Sequence, residues 1–330
     1  MEHKNDILNC LQILSTEANE LYLRKDVPVV NPPISALDFH RLWVSPNLPV
    51  LFKGAVTHWS AVGKWDVPYF RKTLSDNKVT VAVTPNGYAD AIATRSEQNV
   101  DIEYFVMPEE REMNMSEFLD ALEDRHKYPG VFYVQRQNSN LTEDFPELMR
   151  EVEPEISWAS EAFGCPPEAV NLWVGDERAI TSMHKDPYEN IYCVVSGYKD
   201  FILLPPTDRP WIPYKSFPVA SYKEVAPGHF EIVPRSDKGS ASRQTGTPQH
   251  PHQLQTAADE DELFVHRRLV SHPVTVRVEA GDALYLPSLW YHHVRQSHAC
   301  IAVNYWYDMQ YDIKYAYSQL LEALVKKCHI

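Results

Sequence analysis

The distal half of the chain contains short segments rich in β-branched and aromatic residues, separated by turn residues. Such segments favour strands over helices, and many short antiparallel strands are typical of sandwiches and barrels. The sequence therefore predicts a mainly β fold with flanking helices, in which two sheets roll into a jelly-roll barrel. Predicted strands include 131–135, 171–175, 190–197, 201–204, 274–279, 283–287 and 301–306.

The whole chain, 1–330, is interpreted as one unit because no convincing linker divides it. Residues 1–130 form helical and strand support, and residues 131–308 form the barrel. A polar stretch near 235–262 lacks apolar periodicity and is predicted to be a mobile insertion. Residues 309–330 carry an apolar stripe at helical spacing, which predicts a C-terminal helix that either caps the barrel or pairs two chains.

Two separated histidine segments predict a metal site. In an extended strand the side chains at i and i+2 leave the same face, so His184 and Asp186 can approach one ion while Lys185 points away. His292 or His293, about a hundred residues later, would supply the third ligand. Two imidazoles and one carboxylate leave part of the coordination sphere open, as Fe(II) oxygenases require, whereas a structural zinc site favours four ligands with cysteines.

The pattern G-D-x-L-x-x-P-x-x-W-x-H at 281–292, followed by V-N-x-W at 303–306, resembles the distal half of a JmjC domain. The run at 181–190 strengthens the resemblance to small JmjC 2-oxoglutarate oxygenases. It implies a cupin-like double-stranded β-helix, with His184, Asp186 and His292 as catalytic metal ligands. His293 is then the neighbour of the ligand, and a register shift of one residue would exchange the two histidines.

The resemblance also implies a site for 2-oxoglutarate beside the Fe(II), with O2 as the second co-substrate. The carboxylate remote from the metal would need a buried cation, because an unpaired buried charge is costly. Lys199 is the expected cation, with the Tyr133 and Thr181 hydroxyls beside it. Asn190 and Asn304 are expected near the other carboxylate. Aromatic residues that could line the substrate pocket are Tyr188, Trp290 and Trp306, although each could equally pack in the core and only Trp306 is favoured by the family pattern.

The resemblance implies hydroxylation of a lysyl side chain, in a translation-associated GTPase of the developmentally regulated GTP-binding type. It also implies a homodimer formed through the C-terminal helices. Histone-lysine demethylation is one alternative, although the paired cysteines of added zinc modules are missing. Peptidase activity through a metal-activated water is another. A non-enzymatic cupin-like binding module is a third, and it predicts a broken ligand set, which this sequence does not have.

Composition restricts the partners and the compartment. The formal net charge of −14 argues against nonspecific nucleic-acid binding and suits a cationic peptide. No apolar run approaches the length of about 20 residues that a membrane span needs. Five cysteines without C-x-x-C spacing fit a reducing compartment. We therefore expect a cytoplasmic protein, with the nucleus as a second location.

Overall fold

The computed structural model describes residues 2–137, 139–212, 216–235 and 271–328. The described helices are α1 (Glu2–Leu21), α2 (Ala36–Phe39), a π-helical turn (His40–Val44), α3 (Val67–Leu74), α4 (Met115–Glu123), α5 (Asn140–Asp144), α6 (Ser157–Phe163) and α7 (Ile313–Cys328), with 3₁₀ turns at Pro146–Arg150 and Pro206–Trp211. Among these residues, no helix is both long and apolar enough to cross a bilayer. The predicted insertion lies, apart from Arg235, outside the described residues.

The strands, in chain order, are β1 (Val29–Val30), β2 (Val50–Phe52), β3 (Lys78–Thr84), β4 (Tyr88–Ala89), β5 (Ala91–Glu97), β6 (Val100–Met107), β7 (Glu109–Asn114), β8 (Val131–Val134), β9 (Ala169–Gly175), β10 (Ile180–His184), β11 (Tyr188–Ser196), β12 (Tyr198–Leu204), β13 (Val219–Ala226), β14 (His229–Pro234), β15 (Val274–Glu279), β16 (Ala283–Leu286), β17 (Tyr291–Gln296) and β18 (Cys300–Asp308). They form three sheets. The nine-stranded sheet has the order β1-β2-β16-β11-β18-β9-β8-β3-β7, the five-stranded sheet β15-β12-β17-β10-β4, and the four-stranded sheet β14-β13-β6-β5.

Successive strands of the barrel alternate between the two larger sheets, except that β12 and β15 are antiparallel neighbours in the same sheet. Strands β9, β11, β16 and β18 lie in the nine-stranded sheet, whereas β10, β12, β15 and β17 lie in the five-stranded sheet. This alternation is the winding of a double-stranded β-helix, so the predicted jelly-roll class is confirmed. Apolar side chains of both sheets, such as Ile191 and Val303 from one and Phe201 and Val294 from the other, belong to one buried cluster.

Strands that precede the barrel extend its sheets. β2 pairs with β16, and β8 joins β3 to β9, so both edges of the nine-stranded sheet are lengthened by N-terminal strands. β4 pairs in parallel with β10. The β5–β6 hairpin, which the sequence analysis did not predict, continues from β4 and pairs with β13. The N-terminal support therefore reaches the strand that carries His184.

The C-terminal helix is attached to the barrel by buried ion pairs. Glu322 on α7 accepts hydrogen bonds from Lys185 Nζ at 2.7 Å and from Arg209 Nε at 2.8 Å. Arg209 is only 2% exposed, and Glu322 compensates the charge of its buried guanidinium. Lys185 is thereby held away from its neighbours in sequence, His184 and Asp186.

Candidate active site

Cross-strand pairing brings two histidines together. His184, the last residue of β10, lies directly opposite His292 of β17 in the antiparallel register. Their imidazole centroids are 4.1 Å apart. A bulge or irregularity between Thr181 and His184 shifts the register of the pair. Side chains alternate along a strand, so His292 and His293 face opposite sides of the sheet, and it is His292 that lines the cavity together with His184.

Backbone carbonyls orient both rings. His184 Nδ1 lies 2.8 Å from the carbonyl oxygen of Ser182, and His292 Nδ1 lies 3.1 Å from that of Trp290. In a neutral imidazole one nitrogen donates and the other accepts, so donation from Nδ1 leaves the Nε2 lone pair available. Both Nε2 atoms approach the same carboxylate oxygen, Asp186 Oδ2, at 3.6 and 3.7 Å.

Asp186 lies beyond the end of the strand that carries His184. β10 ends at His184, so Asp186 belongs to the connection to β11, and the strand alternation expected from the sequence does not place its side chain. The backbone carbonyl of Asp186 instead accepts a hydrogen bond from the amide of Leu289, at 2.9 Å. Leu289 has a φ of 67°, which turns the chain just before β17. The connection before His292 therefore fixes the position of the carboxylate.

The three groups perturb one another electrostatically. Burial lowers the pKa of His184, but the Asp186 carboxylate more than compensates, so the pKa lies above its usual value. Burial raises the pKa of Asp186, and His184 outweighs that effect and lowers it. Burial and the charge on His184 together lower the pKa of His292 to about 3. His292 is therefore neutral at physiological pH, the state in which imidazole binds a metal.

The donor set fits a divalent metal. One ligand atom from each of His184, Asp186 and His292 lies within 4.8 Å of the others. Separations of 3.6 and 3.7 Å are too long for hydrogen bonds but suit two ligands of one ion, since ligand atoms lie about 2.0–2.2 Å from such a metal. Two imidazoles and a carboxylate, without thiolates, match the ligand preference of non-haem Fe(II).

A cavity of about 140 Å³ opens beside these residues. Its walls include several residues that the sequence analysis selected, from both barrel sheets: Tyr133, Thr181, His184, Asp186, Asn190, His292, Asn304 and Trp306. Further lining residues were not predicted, among them Asp90, Gln135, Gln137, Trp173 and Tyr192. Trp173 and Tyr192 lie on predicted strands, where they alternate with apolar core residues. This alternation could have indicated that their side chains line the cavity.

Lys199 is not itself a lining residue, but it is buried next to Tyr133, which lines the cavity, and only 1% of its surface is exposed. Its ammonium donates to Tyr133 Oη at 3.1 Å and to Gln296 Oε1 at 2.5 Å. Within the described ranges no carboxylate forms an ion pair with it. Gly175 permits this arrangement, because a Cβ at that position would lie 2.3 Å from Tyr133 Cδ2. A buried cation with neutral partners next to a cavity is suited to bind an anion.

Asparagine side chains form a hydrogen-bonded chain across another wall. Asn171 Nδ2 donates to Asn304 Oδ1 at 3.2 Å, and Asn304 Nδ2 donates to Asn190 Oδ1 at 3.0 Å. Trp173 Nε1 also donates to Asn304 Oδ1, at 2.8 Å. The chain fixes the orientation of the Asn190 amide, and its Nδ2 has no acceptor among the residues described. That amide is positioned to donate to a ligand.

The three aromatic residues selected for the substrate pocket have different positions. Trp306 lines the cavity and stacks on Tyr188, with centroids 4.8 Å apart and an interplanar angle of 3°. Trp290 does not line it. The Trp290 indole is 2% exposed and donates to the carbonyl of Asn47 at 2.8 Å, which is the packing role that the sequence left open beside the pocket role. This residue joins the turn before β17 to the N-terminal part of the chain.

A second acid–histidine group, made of Asp176, Glu177 and His298, also has ligand atoms close together. Arg178 binds the Asp176 carboxylate through several hydrogen bonds, and Arg125 pairs with Glu177. These cations already compensate the acidic charge. The group is therefore an ion-pair network that runs from the buried Asp176 to the exposed Glu177 and His298, and not a second metal centre.

The assignment of ligands can be tested by metal binding. We expect His292→Ala and Asp186→Ala to weaken binding of Mn(II), used as an air-stable probe, by at least about 100-fold, since even outer-shell changes cost roughly 10- to 100-fold. Isothermal titration calorimetry measures the affinity, and circular dichroism checks the fold. His293→Ala is the matched control and should bind Mn(II) normally. Loss of binding in this control with retention in His292→Ala would reverse the assignment.

Comparison with known proteins identifies the family. The model of the cupin-like domain matches residues 36–313. The chain is 46% identical to the human bifunctional peptidase and (3S)-lysyl hydroxylase JMJD7, over 94% of this chain and 92% of that protein. It is 37% identical to the lysine-specific demethylase JMJ32 of Arabidopsis thaliana, over 96% and 92%, and 35% identical to JmjC domain-containing protein E of Dictyostelium discoideum, over 95% and 92%.

The matches extend over nearly the whole chain, and the double-stranded β-helix with its His-Asp-His group agrees with them. The resemblance to JmjC domains that the sequence suggested is confirmed. The chain therefore belongs to the JmjC proteins of the cupin-like fold and is a 2-oxoglutarate-dependent dioxygenase.

Proposed function

We propose that this protein hydroxylates a lysyl side chain of a protein substrate, with His184, Asp186 and His292 holding Fe(II). The support is the convergence of these side chains at one edge of a cavity, and the similarity to a relative whose name includes lysyl hydroxylase. When bound, Fe(II) with 2-oxoglutarate and O2 supplies the C–H hydroxylation, and succinate and CO2 are released.

The buried Lys199 is the observation that carries the proposal. A metal-binding group alone is compatible with hydrolysis, but a 2-oxoglutarate-dependent oxygenase must also bind its dicarboxylate co-substrate. In our proposal Lys199 and the Tyr133 hydroxyl bind the remote carboxylate, with Thr181 beside them. Asn190 Nδ2 donates to the carboxylate near the metal, and Asn304 holds the Asn190 side chain in the required orientation.

The role of Lys199 predicts a specific defect. Lys199→Met should raise the KM for 2-oxoglutarate roughly 10- to 100-fold, because one charge-assisted hydrogen bond contributes about 1.5–3 kcal/mol. Succinate release at varied 2-oxoglutarate measures the effect. Thermal unfolding should show no loss of stability, since the variant removes a buried charge that has no carboxylate partner. Lys223→Met, at an exposed position of β13, is the control. An unchanged KM in Lys199→Met would contradict the assignment.

The acidic protein suits a basic substrate. With a net charge of −14, the surface attracts lysine-rich segments and repels phosphate backbones. We propose a cytoplasmic translation-associated GTPase of the developmentally regulated GTP-binding type as substrate, with the nucleus as a second location. The family resemblance supports this choice.

Two other activities appear in the names of the relatives. The human relative is named a peptidase as well as a hydroxylase, and the Arabidopsis relative is named a lysine-specific demethylase. Demethylation begins with the same C–H hydroxylation, on an N-methyl group. Peptide cleavage would need a water activated at the metal. We rank both below lysyl hydroxylation, because the buried Lys199 does not contribute to hydrolysis and the 46% identical relative is named a lysyl hydroxylase.

One mass-spectrometric experiment separates the three activities. The Fe(II)-loaded protein is incubated with 2-oxoglutarate and two degenerate peptide libraries, with lysine or trimethyllysine fixed at the centre. We expect gain of one oxygen on the unmodified lysine, coupled to succinate release. Asp186→Ala, which lacks a ligand, is the control and should show neither. Loss of methyl groups, or cleaved peptides without added oxygen, would contradict lysyl hydroxylation.

We further propose that two chains pair through α7. The helix exposes an apolar stripe at helical spacing, with Ile313 64%, Tyr317 65% and Leu320 54% exposed. α1, which contacts α7, also exposes Ile13 and Leu14. Several large apolar side chains exposed on one helix are characteristic of an interface.

The pairing predicts a change in mass. The wild type should scatter light as a particle of twice the 38.0 kDa chain mass, and Tyr317→Glu with Leu320→Glu should give single chains, because each buries a charge at the contact. Size-exclusion chromatography with light scattering makes the measurement. Gln319→Glu adds a charge on the same helix as the control. A wild type of single-chain mass would remove the proposal.

A further inference from the structure

Asp90 places a carboxylate in the wall of the active-site cavity, where the mechanism does not use it. The residue follows β4, whose Ala89 pairs with Thr181 of β10, and it therefore lies beside the strand that ends in His184. Ala89, Asp90, Thr181 and His184 all line the same cavity. Asp90 has a φ of 55°, a left-handed conformation that is uncommon for residues other than glycine.

The Asp90 carboxylate lacks a direct partner in the part of the chain that the structure describes: no lysine or arginine there forms an ion pair with it, and no hydrogen bond reaches its side chain. Burial raises its pKa to about 6, although the charges of His184 and the more distant Arg235 act in the opposite direction. Asp90 is also absent from the close group of metal-binding atoms. A partly buried carboxylate without a partner is destabilising unless a ligand compensates it.

The cavity therefore carries opposite charges at separate places. Lys199 provides a cation next to Tyr133, on the side of β8 and β12. Asp90 provides an anion next to β10. A dicarboxylate is attracted by Lys199 and repelled by Asp90, so the two groups separate an anionic co-substrate from a cationic side chain. A neutral target side chain would leave Asp90 uncompensated.

We propose that Asp90 is a specificity-determining residue that binds the ammonium group of the target side chain and holds the neighbouring methylene carbons over the metal. This inference rests on the proposed lysyl hydroxylation and assigns a residue to substrate recognition. An uncharged side chain of the same shape as lysine cannot form the ion pair and leaves the Asp90 carboxylate unpaired. A site of this kind discriminates strongly between lysine and the uncharged side chain.

A binding experiment tests the assignment without turnover. Two ligands are titrated into the protein and followed by NMR. They are Nα-acetyl-lysine methylamide, whose side-chain ammonium is free, and its uncharged counterpart Nα-acetyl-norleucine methylamide. We expect the wild type to bind the lysine amide at least about tenfold more tightly, and Asp90→Asn to lose this preference. Asp101→Asn is the control: it removes the same charge from an exposed position of the β5–β6 hairpin, and it should keep the preference for the lysine amide. Equal binding of both amides by the wild type, or an unchanged preference in Asp90→Asn, overturns the inference.

Turnover distinguishes this inference from the proposed function. With the lysine-centred library, Asp90→Asn should lose roughly 10- to 100-fold in kcat/KM while Mn(II) affinity and the KM for 2-oxoglutarate stay normal. Equal hydroxylation by Asp90→Asn and wild type overturns the role of Asp90 and leaves lysyl hydroxylation intact. Loss of Mn(II) binding in Asp90→Asn also overturns it, because the residue would then serve the metal. A wild type that prefers the lysine amide but hydroxylates no lysine refutes the proposed function and retains the Asp90 subsite.

Discussion

The antiparallel register between β10 and β17 is the constraint on which the site depends. It sets His184 opposite His292, and it fixes which of two consecutive histidines enters the cavity. A slip of one residue would exchange His292 for His293, because side chains alternate with a period of two. β17 lies between β10 and β12, and pairing on both sides holds this register.

Charges without local partners define the rest of the site. Lys199 is buried with neutral hydrogen-bond partners, whereas Lys185, next to the proposed ligands, is compensated by Glu322. Lys185 thus joins α7 to the loop that carries Asp186, and Arg209, bound to the same carboxylate, joins α7 to the 3₁₀ turn Pro206–Trp211. These two structural cations are paired with an acid, whereas Lys199 beside the cavity has no such partner among the described residues. This difference separates a binding group from a structural one more clearly than sequence spacing does.

Sequence reasoning was most successful where a short motif and strand pattern agreed. It predicted the jelly-roll class and brought His184, Asp186 and Asn190 into one site. It did not find the β5–β6 hairpin, whose turn consists of Gln98 and Asn99, both with positive φ. Left-handed turns usually contain glycine, so this turn had no strong signal. Asp90, which leads into the hairpin, also has a positive φ without being glycine, so no turn signal marked its position either.

Trp290 shows a choice that the sequence left open. An aromatic residue within a ligand motif could line a pocket or pack in the core, and its indole is buried and donates to the carbonyl of Asn47, which is 243 positions away. No local pattern distinguishes an aromatic side chain that lines a cavity from one that packs under it.

The sequence by itself determined the chemistry available to this protein, because the residue types of a metal site and the alternation of strands are local properties. Only the tertiary structure decided which groups meet. The connection after β10 placed Asp186, the β3–β8–β9 pairing placed Tyr133 against Lys199, and the parallel β4–β10 pairing placed Asp90 in the cavity. These contacts join residues far apart in sequence, and their positions follow from sheet register, which no short segment encodes.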